Sequence, residues 1–182
     1  MTEIADRYRK LSHTFTTKVE AIREDQWDSS TPCNEWTVRD LLRHVVDSQA
    51  MFEGLVGRDL GEVPSFDEDP KGAWIASRDK IQSDLDDPEL ARAEYEGQLG
   101  ASTFERAVDG FLSFDQVVHG WDLARATGQD ETIEPEEIQR ISADIGRLGE
   151  LLRTSGACGP AIPPPHDADD QTRLLCELGR RP

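Results

Sequence analysis

The chain has 182 residues, with 20 Lys and Arg against 37 Asp and Glu and a formal net charge of −17. That length suits one ordinary hydrophobic core, and an isoelectric point near 4.5 excludes a sequence-independent grip on phosphate backbones or anionic membranes, so neither nucleic acid nor membrane is an expected partner. With 36% hydrophobic residues, folding depends on whether the apolar positions recur at helical intervals.

They do. Ile4, Tyr8, Leu11, Phe15, Val19 and Ile22 recur in steps of three and four, which predicts a first helix with His13 on its solvated face. After a turn over residues 27–34, Thr37 and Asp40 form a capping-box pattern, with Asp where Glu or Gln is usual, ahead of a second helix carrying Val38, Leu41, Leu42, Val45, Phe52 and Val56. Residues 57–70 read as a long connection to a shorter third helix marked by Trp74, Arg78, Ile81 and Leu85, with Pro88 beyond its end. Glu94-Tyr95-Glu96 leading into Gly97 and Gly100 suggests a short β-hairpin.

A fourth helix is predicted over about residues 103–127, stopped by Gly128. Pro135 opens a fifth, with Ile138, Ile141, Ile145, Leu148 and Leu152 in register. A Pro-rich loop over 156–170 precedes a last short helix with Leu174, Leu175 and Leu178, which stops at Gly179; the Arg180-Arg181-Pro182 tail is expected to have little to fold around. The predicted class is all-α: an antiparallel bundle with accessory helices over residues 1–156, and the loop and short helix of 157–182 packed on the same domain. The first ten residues lack an apolar run, which predicts a cytoplasmic protein. Cys33, Cys158 and Cys176 form neither an even set nor a CxxC pair, and are expected as reduced thiols.

On a helical wheel, Phe104, Val108, Phe111, Leu112, Val118 and Ala126 define the buried stripe of the fourth helix, and Asp115, His119 and Asp122 fall within it. A buried carboxylate must be paired, hydrogen-bonded or bound to a cation. Asp115 and His119, four residues apart, can converge on one metal ion, and His44, on the flank of the second helix beside Ser48, Met51 and Leu55, can supply a third ligand. The competing reading is an Asp115–His119 ion pair within one helix, with Asp122 closed by Arg125 or a cap. Cys33 precedes a helix N-terminus, where a thiol can be activated, although a small buried hydrophobe is the favoured reading. Trp36 and Trp121 either wall a pocket or simply pack, and His166 is either a lid or a solvated loop residue. The sequence has no GxGxxG, Walker-type loop, HExxH or GxSxG.

Two blocks carry a resemblance: Ser30-Thr31-Pro32-Cys33-Asn34-Glu35-Trp36-Thr37-Val38-Arg39-Asp40-Leu41-Leu42-Arg43-His44, and His119-Gly120-Trp121-Asp122-Leu123-Ala124-Arg125-Ala126-Thr127-Gly128. They resemble the signature blocks of the DinB-like, mycothiol-dependent maleylpyruvate isomerase N-terminal domain family. The ending, from Arg173 to Pro182, is similar to an uncharacterised subgroup of it. The resemblance implies a metal-binding four-helix bundle in which His44, Asp115 and His119 hold a divalent ion, commonly zinc, with nickel or another transition metal open to the same donors. Asp115 departs from the Glu of the isomerase pattern, and no counterpart of the isomerase's second domain is expected after Gly156, so maleylpyruvate isomerisation is not implied.

The expectations are therefore specific. Asp122 should orient a histidine or tie helices, with simple pairing to Arg125 as the competing reading. Trp36, Met51, Phe111 and Trp121 should border a pocket at the metal, and the chain should form a homodimer. The function expected is a thiol-dependent isomerase or transferase in which mycothiol is the cosubstrate for a small electrophilic substrate. The alternative is a non-catalytic, metal-stapled interaction module.

Overall fold

A computed structural model describes residues 2–97, 100–154 and 159–182, the side chains of 147–154 excepted. Cys158, the boundary expected at 156 and the packing of Leu148 and Leu152 lie outside the described residues. The chain divides into two compact units, residues 1–130 and 131–182.

In the first unit, α1 (Glu3–Glu20), α2 (Val38–Leu55) and α3 (Pro70–Asp86) are three long helices. Next come a one-turn α4 (Pro88–Ala91) and an antiparallel hairpin of β1 (Glu94–Gly97) and β2 (Gly100–Thr103), with Glu94 opposite Thr103. The fourth arm is α5 (Phe104–Ala107), a π-helical turn over Val108–Leu112, and α6 (Ser113–Thr127). Helix α1 packs on α3 and α6, and α2 packs on the same pair, which closes a four-helix bundle.

Local chemistry sets the helix ends. The Thr2 hydroxyl accepts the Ala5 N–H at the start of α1, and Thr37 with Asp40 forms the reciprocal capping box of α2. Asp69 caps α3 and Pro70 occupies its first turn. With that start α3 has 17 residues against 18 in α1 and α2, so it is the shorter helix that the apolar spacing predicts, though only slightly. Gly128 ends α6 at φ +70°, a left-handed conformation that a Cβ would strain.

Apolar faces then close the bundle. One cluster gathers Phe15, Val19, Trp27, Leu41, Leu42, Val45, Trp74 and Leu123, and another Tyr8, Phe52, Ile81, Leu85, Phe104 and Leu112. Phe15 and Trp74 meet edge to face with centroids 4.8 Å apart, a geometry worth about 1 kcal/mol beyond area burial.

The π turn corrects the predicted stripe of the fourth arm. One extra residue in the turn rotates α6 about its axis, so Phe111 is 38% exposed while Leu112, Ser113 and Gln116 are buried. Asp115 accordingly stands at the edge of the bundle, its side chain 24% exposed. On α2, Met51 and Leu55 lie outside the buried row of Leu41, Val45, Gln49 and Phe52.

The second unit holds α7 (Pro135–Thr154) and α8 (Asp170–Glu177). Ile138, Ile141 and Ile145 are buried on α7, and Leu174, Leu175, Cys176 and Leu178 on or just after α8. Arg180 corrects the reading of the tail: it is buried, its N–H donates to the Leu175 carbonyl and its guanidinium to that of Leu178. Carbonyls left over at the end of α8 thus order the start of the tail. Among the described residues no helix is long and apolar enough to cross a membrane.

Candidate metal centre

Three segments of the first unit build the site. Helix α2 delivers His44, α6 delivers Asp115, His119 and Asp122, and the loop before α2 delivers Cys33 and Trp36. The loop is tied shut: Ser30 and Thr37 form an antiparallel bridge, the Thr31 N–H donates to the Trp36 carbonyl at 3.0 Å, and the Trp36 N–H donates to that of Cys33 at 3.2 Å. The Thr31 hydroxyl also donates to the Trp36 carbonyl and accepts the Cys33 N–H. Glu35, between the two site residues, has φ +65°, the left-handed region that non-glycine residues rarely occupy.

His44 Nε2 lies 3.4 Å from Asp115 Oδ2. The rings of His44 and His119 meet nearly perpendicular, with centroids 5.1 Å apart. Each of His44, Asp115 and His119 offers a ligand atom, all within 4.8 Å of one another. Donors about 2.1 Å from a tetrahedral zinc ion stand roughly 3.4 Å from each other, so this donor set and its spacing fit a divalent transition metal. The indole of Trp36 lies 4.8 Å from the His44 ring and 5.9 Å from that of His119.

Behind this face, His119 Nδ1 stands 3.0 Å from Asp122 Oδ2, and the Asp122 side chain is fully buried. An ionised carboxylate there requires the proton on Nδ1, which leaves Nε2 as the nitrogen with a lone pair to give. Asp115 pairs with His44 on another helix, and His119 pairs with Asp122. The intrahelical Asp115–His119 ion pair that spacing allows is not the arrangement adopted.

Of the pocket residues predicted from the sequence, Trp36 borders the histidines, Met51 is 59% exposed, and Phe111 packs against Phe52 with centroids 5.8 Å apart. Trp121 is buried, its Nε1 without a hydrogen-bond partner, and the Arg125 guanidinium lies 5.5 Å over its ring. His166 is exposed in the second unit. Sequence reasoning undervalued Cys33. Its partly buried thiol donates to Asp122 Oδ2 at 3.2 Å and lies 3.8 Å from His119 Nδ1. The available signal was its place in a turn leading into the helix that carries His44.

Two uncharacterised proteins from two strains of Mycobacterium tuberculosis are each 27% identical to this chain over 175 residues, 95% of this chain and 95% of theirs. No solved structure gives a significant match. The sequence model of one family matches residues 8–124, a span that holds nearly all of the bundle interior and all six side chains of the site. The chain belongs to the mycothiol maleylpyruvate isomerase N-terminal domain family.

Proposed function

We propose that His44, Asp115 and His119 hold one divalent transition-metal ion, zinc or nickel being suitable. On this reading the protein is a thiol-dependent isomerase or transferase, with mycothiol or a related low-molecular-weight thiol acting on a small electrophilic substrate. The observation that carries this reading is the donor set itself: three side chains from two helices at metal-ligand spacing, one of them oriented from behind by a buried carboxylate. Membership of a family described by mycothiol supports the choice of thiol.

Bound there, the cation supplies Lewis acidity that keeps a thiol in its nucleophilic thiolate form near neutral pH. The chain's own residues do the rest. Asp122 holds the proton of His119 on Nδ1 and fixes the ring. The Trp36 ring lies against both histidines and covers one side of the pair. His44 and Asp115, with side chains 37% and 24% exposed, leave the site open to a small molecule.

The second reading is a non-catalytic, metal-stapled module with a closed four-ligand shell. Cys33 could serve as its fourth ligand, yet Cys33 approaches Nδ1 of His119, the nitrogen that Asp122 engages. That placement favours the open site.

Metal analysis of protein purified without a His tag should find close to one equivalent, lost in the Asp115→Ala, His119→Ala double variant. Retention of the metal in that variant would refute the ligand assignment. Titrating the cobalt-substituted protein with mycothiol and other thiols should give a sulfur-to-cobalt absorption band that His44→Ala abolishes. A metal-loaded, folded protein indifferent to every thiol would leave the module reading standing. We also propose a cytoplasmic homodimer; a 20.4 kDa particle by light scattering at high micromolar concentration would exclude the dimer.

A further inference from the structure

We infer that Cys33 is a positioning residue of the metal centre: by donating its S–H to Asp122, it fixes the carboxylate that orients His119 and sets how strongly His119 is polarised. The consequence for metal affinity rests on the metal reading above; the hydrogen-bond chain does not.

One oxygen serves both donors. Asp122 Oδ2 stands 3.0 Å from His119 Nδ1 and 3.2 Å from Cys33 Sγ, and the two donors are 3.8 Å apart. Thiol and imidazole therefore form a closed triangle on a single acceptor. Donors that share a lone-pair region divide its electron density, so the thiol moderates the pull of Asp122 on the imidazole proton.

The last torsion of an aspartate is broad, and a donor on its own helix three residues away restrains it only weakly. Asp122 is fully buried, where its orientation depends on the donors around it. Cys33 comes from a different segment and adds a restraint from outside α6. Two donors on separate elements fix the plane of the carboxylate, and through it the plane of the His119 ring.

The loop before α2 is built to deliver this thiol. Thr31 ties the backbone on both sides of Cys33, and the left-handed Glu35 turns the chain so that Cys33 and Trp36 reach the same histidine. A strained non-glycine residue persists where surrounding contacts over-determine it, and such positions cluster at functional sites.

The test uses full-length protein with ¹⁵N-labelled histidine, first free of metal. His119 is expected as the Nδ1–H tautomer. In Cys33→Ala its Nδ1–H proton resonance should move downfield, because Oδ2 then serves the imidazole more strongly. In Cys33→Ser a hydroxyl still donates to the same oxygen, so the resonance should stay near that of the wild type or move upfield. Metal affinity should rise severalfold in Cys33→Ala, because the more strongly polarised imidazole is the more basic ligand, and return toward the wild-type value in Cys33→Ser. An Nε2–H tautomer, or a resonance unmoved in Cys33→Ala, would overturn the inference. So would a sulfur-to-cobalt band in the wild type without added thiol, since Cys33 would then bind the ion itself. If the proton shifts appear as expected but no variant binds metal, the metal reading fails while the positioning role of Cys33 holds.

Discussion

His44 on α2 and Asp115 on α6 meet with Nε2 and Oδ2 3.4 Å apart, both at the edge of the bundle. A partly exposed pair of this kind contributes only about 0–1 kcal/mol to folding, yet both groups are placed to give lone pairs to one ion. Asp115→Asn should therefore leave the thermal midpoint of the metal-free protein within a few degrees of wild type while abolishing the single equivalent of bound metal. Thermal melts beside metal analysis check this; a large loss of stability without metal would mean that the pair is a folding element.

Asp122 should behave differently, because it is buried and accepts from both His119 and Cys33. Asp122→Ala takes the shared acceptor from those donors, at a cost of about 1–3 kcal/mol. It also frees the His119 ring, and metal affinity should drop by about 10–100-fold. Urea unfolding and metal titration of the same variant measure the two effects separately.

A pH dependence of stability should come from Glu53. Its side chain is fully buried, with Arg58 Nε at 2.9 Å, Lys80 Nζ at 3.8 Å and the carboxylate of Asp84 sharing both cations. Burial first, and the negative Asp84 second, push the Glu53 carboxyl above its ordinary value against the pull of Lys80 and Arg58. The native state thus holds this proton more tightly than the unfolded chain. Its contribution to stability is full below the unfolded value of 4.5 and is lost as pH rises through the higher native value. Wild-type protein should lose stability relative to Glu53→Gln as pH increases through that window, measured by urea unfolding at a series of pH values. A constant difference between the two proteins would refute the assignment.

Tyr8 donates its hydroxyl to Gln49 Oε1 at 2.7 Å in the interior. Burial pushes its phenol well above the ordinary tyrosine value, so it stays protonated throughout the range in which the protein is folded. Tyr8→Phe fills nearly the same volume but deprives the buried Gln49 oxygen of its donor. The expected cost is about 1–2 kcal/mol in urea unfolding, with metal binding unchanged because Tyr8 and Gln49 pair with each other rather than with the histidines.

Much of the fold was legible in the residues. The spacing of Tyr8, Leu11, Phe15 and Val19, the Thr37–Asp40 cap, the Gly97 and Gly100 turn signals and the Gly128 stop all act within a few residues of themselves. Local signals of that kind survive folding unchanged. Misreadings arose where one residue changed the phase: Phe111 left the predicted stripe because a π turn, which has no sequence period of its own, rotates α6 relative to α5. The buried Arg180 was equally invisible, since its partners are carbonyls exposed only by the way α8 ends.

The sequence alone determined that this chain is an all-α bundle and made His44, Asp115 and His119 a candidate ligand set, because helical period and residue chemistry are properties of short segments. Tertiary structure decided the pairings: His44 with Asp115, and His119 with Asp122 and Cys33. Those contacts join α6 to α2 and to the loop before α2. Which side chains meet there depends on the rotation and separation of helices, and spacing along one chain segment does not encode either.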